Sequence, residues 1–371
     1  MPEDPTASSQ RYRLPSLSDK GALVRLAAIG ACVLAIALAF AYTAGWLTPG
    51  RLGEARFVDR FEQVNGIHPG FRRNHAKGLC IAGNFESNGQ GARLSKAVVF
   101  TPGRVPVIGR FSLAGGQPHV ADGPTAVLAM ALRLQPPAGQ EWRIAMIDIP
   151  VFLVRNGEAL FEQLLASKPD PATGQPGPAK MAAFAAAHPE FGPALQLVKS
   201  TPMPSGFANA TFNGLNAFRF VNASGVMTEV RWSMAASEPF APETPAQAKK
   251  ADKNYLFDDL IARVGRGPLQ WHLVVTIGQP GDPTSDPTIP WPAERERVDV
   301  GTLTIDHVET EAPGNCRDIN FDPLVLPFGI APSDDPLLSA RSAAYSHSFT
   351  RRAGEKKEPS AVQTPDTGKG E

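Results

Sequence analysis

Arg341 and Tyr345 stand four residues apart near the C-terminal end of the chain, a spacing that sets both side chains on one face of a helix. A cation beside a phenol lowers the phenol's pKa, and a ferric ion would finish the deprotonation, much as a metal strips the proton from a bound thiol. An R-x-x-x-Y pair alone is common on protein surfaces, so its meaning depends on what else the chain brings. Far upstream, Phe71-Arg72-Arg73-Asn74-His75-Ala76-Lys77-Gly78 sets one histidine among arginines. Histidine can take and return a proton near neutral pH, and guanidinium groups suit carboxylates. The two segments could act together only if the fold joins the two ends of the chain. His68, His119, His188, His272, His307 and His347 match no ligand pattern. There is no C-x-x-C pair and no zinc spacing.

The elements between these segments read mainly as strands and a few helices. Gly53 to Gln63 has the apolar spacing of a helix and is followed by turn residues at Asn65-Gly66 and His68-Pro69-Gly70. Residues 97–100, 105–108, 126–132 and 142–147 read as strands separated by Gly, Pro and Asp clusters, a meander of the kind that closes into an antiparallel barrel. Glu158 to Ala166 and Pro178 to Leu197 read as helices, and 217–221 with 229–234 as a hairpin turned at 222–225. Residues 246–263 read as a helix, 269–277 as a strand, and 278–298 as an irregular wrapping loop rich in Pro and Asp. Pro336 to Tyr345 reads as a helix with Asp335 at its N-cap and Pro336 at its first position. Residues 353–371 read as a polar, disordered tail.

The 371 residues carry 36 basic and 36 acidic side chains. A zero formal charge gives no electrostatic reason to expect nucleic acid as a partner. Leu26 to Leu47 is a 22-residue run without charge, long enough for a ~30 Å hydrocarbon core. It reads as a single-pass anchor, with a cleaved signal peptide as the rival because Ala39-Phe40-Ala41 offers a cleavage spacing. Arg11, Arg13, Lys20 and Arg25 precede it, so the N-terminus is expected in the cytoplasm and the main domain on the periplasmic side of an inner membrane. The expected division is a polar leader over 1–25, the span over 26–47, one domain over 48–352 and the tail. Of the three cysteines, Cys32 lies in the apolar run. Cys80 and Cys316 are read as free buried thiols, since sequence does not say whether they meet.

Ten short pieces, in order over about residues 57 to 352, resemble the haem catalase superfamily. They are Arg72-x-x-His75-Ala76-Lys77-Gly78, Gly83-x-Phe85-Glu86, Arg110-Phe111-Ser112, Ala121-Asp122, Pro150-Val151-Phe152, Asn213-Gly214, Phe218-x-Phe220-Val221-Asn222-Ala223-x-Gly225, Phe321-Asp322-Pro323, Pro327-x-Gly329-Ile330 and Arg341-x-x-x-Tyr345. The nearest group looks like the short catalase-related peroxidases. The resemblance implies an α+β fold, an antiparallel β-barrel with flanking helices, here preceded by one transmembrane helix. It implies haem b, with Tyr345 as axial ligand, Arg341 holding it as tyrosinate and His75 as the distal acid–base residue. Ser112 would orient His75. Arg72, Arg110 and Arg352 would hold the propionates, with Arg351 adjacent to the last, and Phe152 would line the distal pocket.

The chain departs from that family's catalases in two places. Their distal asparagine falls here on Ile147, which cannot donate a hydrogen bond to peroxide, while Asp148 is expected on the opposite face of a strand. Asn74 replaces a small apolar residue before His75. Disproportionation needs a second, well-ordered peroxide, so the resemblance points to a peroxidase drawing on an external small-molecule or protein electron donor. Its oxidant would be hydrogen peroxide or an organic hydroperoxide, with little catalase activity. Without the family's C-terminal extension, no bound dinucleotide and an assembly smaller than a tetramer are expected. The alternatives are an enzyme that rearranges lipid hydroperoxides, like the allene oxide synthase relatives, and a haem-binding module with little turnover.

Overall fold

The computed structural model describes residues 20–43, 47, 54–123, 126–244 and 252–365, and the chain divides into two units at Gly53. In the first, helix α1 (Lys20–Thr43) leaves every side chain but Ala22 and Ala41 exposed. Its length and composition suffice to cross a membrane, and a signal sequence would pass the same test. The helix begins before the expected span, and Trp46 lies outside the described residues.

The second unit is built on β1 (Gly78–Ser87), β2 (Gly103–Leu113), β3 (Leu128–Leu134), β4 (Trp142–Ile147), β5 (Phe212–Asn213), β6 (Phe218–Val221), β7 (Met227–Ala236), β8 (Leu269–Ile277), β9 (Arg297–Glu309) and β10 (Ile330–Pro332). Antiparallel pairing runs β7-β5-β4-β3-β2-β1-β9-β8, and β7 pairs back onto β8 to close a barrel of eight strands. Strands β6 and β10 extend the hairpin outward from β7. Closure removes the exposed edges that an open sheet must otherwise protect. Side chains of period two fill the interior: Phe111, Met130, Trp142, Phe212 and Trp271 are all fully buried. Such burial stabilises at roughly 25 cal/mol per Å² of apolar surface.

Helices flank this barrel: α2 (Glu54–Asn65), α3 (Gly157–Ala166), α4 (Pro178–Ala187), α5 (Phe191–Ser200), α6 (Tyr255–Arg266) and α7 (Pro336–Ala353). Asp335 caps α7 by accepting the Leu337 amide at 2.8 Å, which leaves Pro336 free at the first turn. Helix α3 is capped likewise by Asn156 on the Ala159 amide.

Several local expectations change. The helix expected over 178–197 breaks at His188, because Pro189 disfavours helical geometry in the residue before it. Val98–Phe100 forms a single 3-10 turn rather than a strand. Helix α6 begins at Tyr255, and the start expected near 246 lies partly outside the described residues. Strand β9 is absent from the sequence reading, since Asp299, Gly301 and Asp306 interrupt its alternation; pairing with both β1 and β8 forms it. The chain beyond 353 is not a free tail through residue 365. Glu355 pairs with Arg73, Ser360 accepts the Ala312 amide, and Val362 is fully buried.

Candidate active site

Strand register builds the floor of the site on the outer face of the barrel. One row runs Gly78, Ser112, Ala129, Ile147 and Asn213, and the next runs Cys80, Arg110, Ala131 and Ala145. Small side chains in the middle of both rows leave a flat surface. Over it lies a cavity of 580 Å³, bounded by α2, α3 and α7. Arg72, His75, Arg110 and Ser112 line it from the barrel side, with Phe152, Arg341, Tyr345 and Arg352 completing the set. All eight side chains singled out in the sequence therefore meet in one place. His347 is not among the lining residues.

His75 adopts φ +55°, the left-handed region that costs a non-glycine residue energy. Its neighbour supports that geometry: the Asn74 Oδ1 accepts the His75 amide at 3.0 Å and the Gly115 amide at 2.9 Å. Asn74 thus acts as a brace for the histidine backbone. The Ser112 Oγ lies 3.4 Å from Nδ1 of the ring. Burial, reinforced by Arg110, Arg341 and Arg72, pushes the imidazole down to about 3, so it is neutral across the physiological range.

Arg341, Tyr345 and Arg352 follow helical spacing along α7 and share the cavity face. Arg341 donates to the Asn216 Oδ1 and to the Ala145 carbonyl, and its guanidinium lies 5.4 Å from the Phe152 ring centre. Asn216 in turn donates to the Asp335 Oδ2 at 2.7 Å. A chain of bonds thus runs from the cap of α7 to the guanidinium one turn from Tyr345. Phe152 sits against this arginine. Sequence reasoning missed Asn216, although it follows Asn213-Gly214 closely.

The third side is a cluster of buried cations. Arg72 donates to the carbonyls of Cys316, Arg317 and Ile319, and burial, with Arg352 and Arg110 nearby, lowers its pKa well below normal. Arg352 donates to the Arg317 carbonyl at 2.8 Å and is lowered to about 10, chiefly by burial. Arg351 instead turns outward to Asp59 and Glu62, which separates the two adjacent arginines. Arg110 is held by both oxygens of Glu311, whose pKa those arginines lower despite its burial. Glu311 carried no local signal, since only the barrel places the loop after β9 beside β2.

The rest of the histidine motif has structural reasons. A Cβ on Gly78 would stand 2.3 Å from the Arg110 guanidinium, so glycine there gives the arginine its place. Lys77 is buried and donates to Asp122 at 2.6 Å and to two carbonyls, while the other Asp122 oxygen accepts the Leu256 amide at the start of α6. Asp148 faces away from the cavity, accepts the Leu128 amide at 3.0 Å and is pushed up to about 7 by burial. Cys80 and Cys316 form a disulfide, correcting the expectation of free thiols; the fold brings their Cα atoms to 5.4 Å across 236 positions of sequence.

These residues fit a haem. The buried Arg72 Nε has no acceptor among the described residues, and the two carboxylates that face the cluster of Arg72, Arg110 and Arg352 are already engaged, Glu311 by Arg110 and Asp318 by Lys357. That leaves a demand for carboxylates such as propionates, beside a flat floor with a phenol and an imidazole at hand.

A closed antiparallel barrel, with a cavity on its outer face flanked by a helix bearing an R-x-x-x-Y pair, defines a haem-protein class of α+β fold. The catalase family model, described as Catalase, matches residues 41–368. The chain belongs to the catalase family. It is 36% identical over 329 residues to a catalase-related peroxidase of Synechococcus elongatus, covering 89% of this chain and 95% of the relative. It is 32% identical to a catalase-related peroxidase of Mycolicibacterium paratuberculosis, covering 84% and 96%. A solved bacterial catalase shares the fold with a TM-score of 0.68 and 23% identity, over 82% of this chain and 62% of that one. The chain therefore spans about three fifths of that larger catalase.

Proposed function

We propose that this protein is a haem-dependent peroxidase that reduces hydrogen peroxide or organic hydroperoxides with electrons from an external donor, and that it disproportionates peroxide poorly. The observation that carries the reading is His75 sharing a cavity with Tyr345, with apolar Ile147 next to Ala129 on the cavity floor where a catalase has asparagine. The net change is one hydroperoxide, two electrons and two protons giving an alcohol (or water) and water.

Haem b, when bound, supplies the iron at which the peroxide O–O bond is split. His75 takes the proton from the near peroxide oxygen and returns it to the far one, a role that needs the unprotonated ring it already has. Ser112 and Asn74 keep that ring oriented. Tyr345 would hold the iron through its phenolic oxygen, with Arg341 one turn away on the same helix and lining the same cavity. Arg72 and Arg352 would hold the propionates; Arg110 would contribute less because Glu311 already engages it. Phe152 packs the pocket edge.

Helix α1 serves as a single-pass anchor with the peroxidase domain on the extracytoplasmic side. The disulfide supports that compartment, because such bonds persist where thiols are not kept reduced. The division is then a leader and anchor ending near residue 47, followed by one catalytic domain.

Absorption spectra of the full-length protein in detergent, beside Tyr345→Phe, test the reading. A high-spin ferric spectrum that shifts in the variant, with donor oxidation exceeding oxygen release, is expected. Wild-type protein that takes up no haem would sink it. Phe57, Phe61, Leu160 and Leu164 give the cavity an apolar wall, which favours a second reading: rearrangement of a fatty-acid hydroperoxide, recognised by product forming without added reductant.

A further inference from the structure

We infer that the Cys80–Cys316 disulfide is a positioning element of the cofactor site: it fixes the backbone carbonyls that aim Arg72 and Arg352, so the site retains its haem firmly only while the bridge is closed. The inference rests on the haem reading above.

Three observations converge. Cys80 lies on β1 directly opposite Arg110 of β2 in the ladder, so the bridge is rooted in the barrel beside one of the clustered arginines. Its other end is the segment between β9 and β10, whose carbonyls at Cys316, Arg317 and Ile319 take the Arg72 Nη2 at 3.2, 3.3 and 2.8 Å. The Arg317 carbonyl also takes the Arg352 Nη1. Within four residues, then, one loop directs two buried guanidiniums toward the cavity. The loop's backbone runs from Thr310 to Asn320 without strand or helix, so side-chain bonds and the bridge hold it in place of a backbone ladder. Besides the bridge, the Ala312 amide on Ser360, the Asn315 amide on Glu309 and the Cys316 amide on the Cys80 sulfur tie it, as do the Glu311–Arg110 and Asp318–Lys357 pairs, Arg317 on the Glu358 carbonyl and Arg143 on the Asn320 carbonyl; at Cys316 itself the bridge and its amide bond join the loop to β1.

A carbonyl is a partial charge with a direction, and a buried cation depends on that direction more than an exposed one does. The bridge sets it without competing for the arginines' hydrogen bonds, because a disulfide has no charge. Both cysteines are fully buried. Opening it requires two electrons and two protons from a dithiol and yields two thiols, which no longer hold the loop to β1.

The test uses the full-length holoprotein in detergent. Wild type is compared with the Cys80→Ala, Cys316→Ala double variant, with wild type reduced by dithiothreitol and verified by alkylation and mass, and with Phe184→Ala as a control. Phe184 belongs to an apolar cluster formed by α3, α4 and α5, separate from the one that holds Cys80 and Cys316, so its loss destabilises the fold without touching the loop. Haem transfer to excess apomyoglobin should be about tenfold faster without the bridge and unchanged in the control. In the cofactor-free proteins, amide hydrogen exchange of residues 314–320 should rise while that of β2 and β3 does not.

Transfer within twofold of wild type, or accelerated no more than in a control of equal Tm loss, would overturn the inference. So would loss of the whole barrel on reduction, since the bridge would then be holding the fold and not the loop. If the double variant does not fold, the reduced wild type carries the comparison. A wild type that binds no haem fails the peroxidase reading, whereas loop exchange in the cofactor-free protein still reads the bridge's part separately.

Discussion

At the scale of single residues, burial sets proton affinities in opposite directions on two neighbouring surfaces. His75 is lowered from 6.5 to about 3, so the free enzyme's acid limb should show no loss of the histidine base down to about pH 4. Replacing it, as His75→Asn, should lower kcat/KM for peroxide by about 10²–10⁴-fold while haem stays bound, a split that steady-state assay and the haem spectrum read together. Asp148 moves the other way, from 3.8 to about 7. Between those values the folded protein keeps a proton that the unfolded chain has lost, so its contribution is full below pH 4 and declines as pH rises to 7. Asp148→Asn keeps the oxygen that accepts the Leu128 amide. It should abolish that decline and raise Tm at pH 8 relative to wild type, with little change at pH 4.

Elements decide where these residues stand. The alternation of β2, β3 and β4 sends Phe111, Met130 and Met146 inward and Arg110, Ser112, Ala131 and Ile147 toward the cavity. Ile147→Asn therefore places an amide on the same face as Ser112, and we expect more oxygen released per donor oxidised, measured with an oxygen electrode. Glu311 is the buried counter-charge of Arg110, with side-chain exposures of 7% and 2%. Glu311→Gln leaves that guanidinium without its anion and should cost about 3–5 kcal/mol, read by denaturant unfolding; loss of less than about 1 kcal/mol would mean solvent reaches the pair. How these elements were legible varies with their length of reach. Asp335 and Pro336 announce the start of α7 because a cap is a local hydrogen bond. Strand β9 and the break at His188 were not read, the first because its partners lie on other strands and the second because one proline outweighed a good apolar pattern.

For the molecule as a whole, an N-terminal helix precedes a barrel whose chemistry depends on both of its ends. If α1 anchors the chain, the full-length protein should resist alkaline extraction from membranes and keep its original N-terminus, as Edman or mass analysis would record. A mature N-terminus near Ala41 and release into the soluble fraction would instead identify a cleaved leader.

From sequence alone, through the resemblance to the catalase family, came the residues proposed for the chemistry and their order: the Arg72 to Gly78 segment, Arg110 with Ser112, Pro150 to Phe152, and Arg341 with Tyr345. These are short-range patterns, so a resemblance in local sequence suffices to find them. Tertiary structure alone decided that Glu311 neutralises Arg110, that Asn216 links Arg341 to Asp335, and that Arg352 faces inward while Arg351 faces out. It also decided that Cys80 and Cys316 bond. Each of those facts is a pairing between distant segments, set by barrel register and closure, and no local propensity encodes which side chain will stand opposite which.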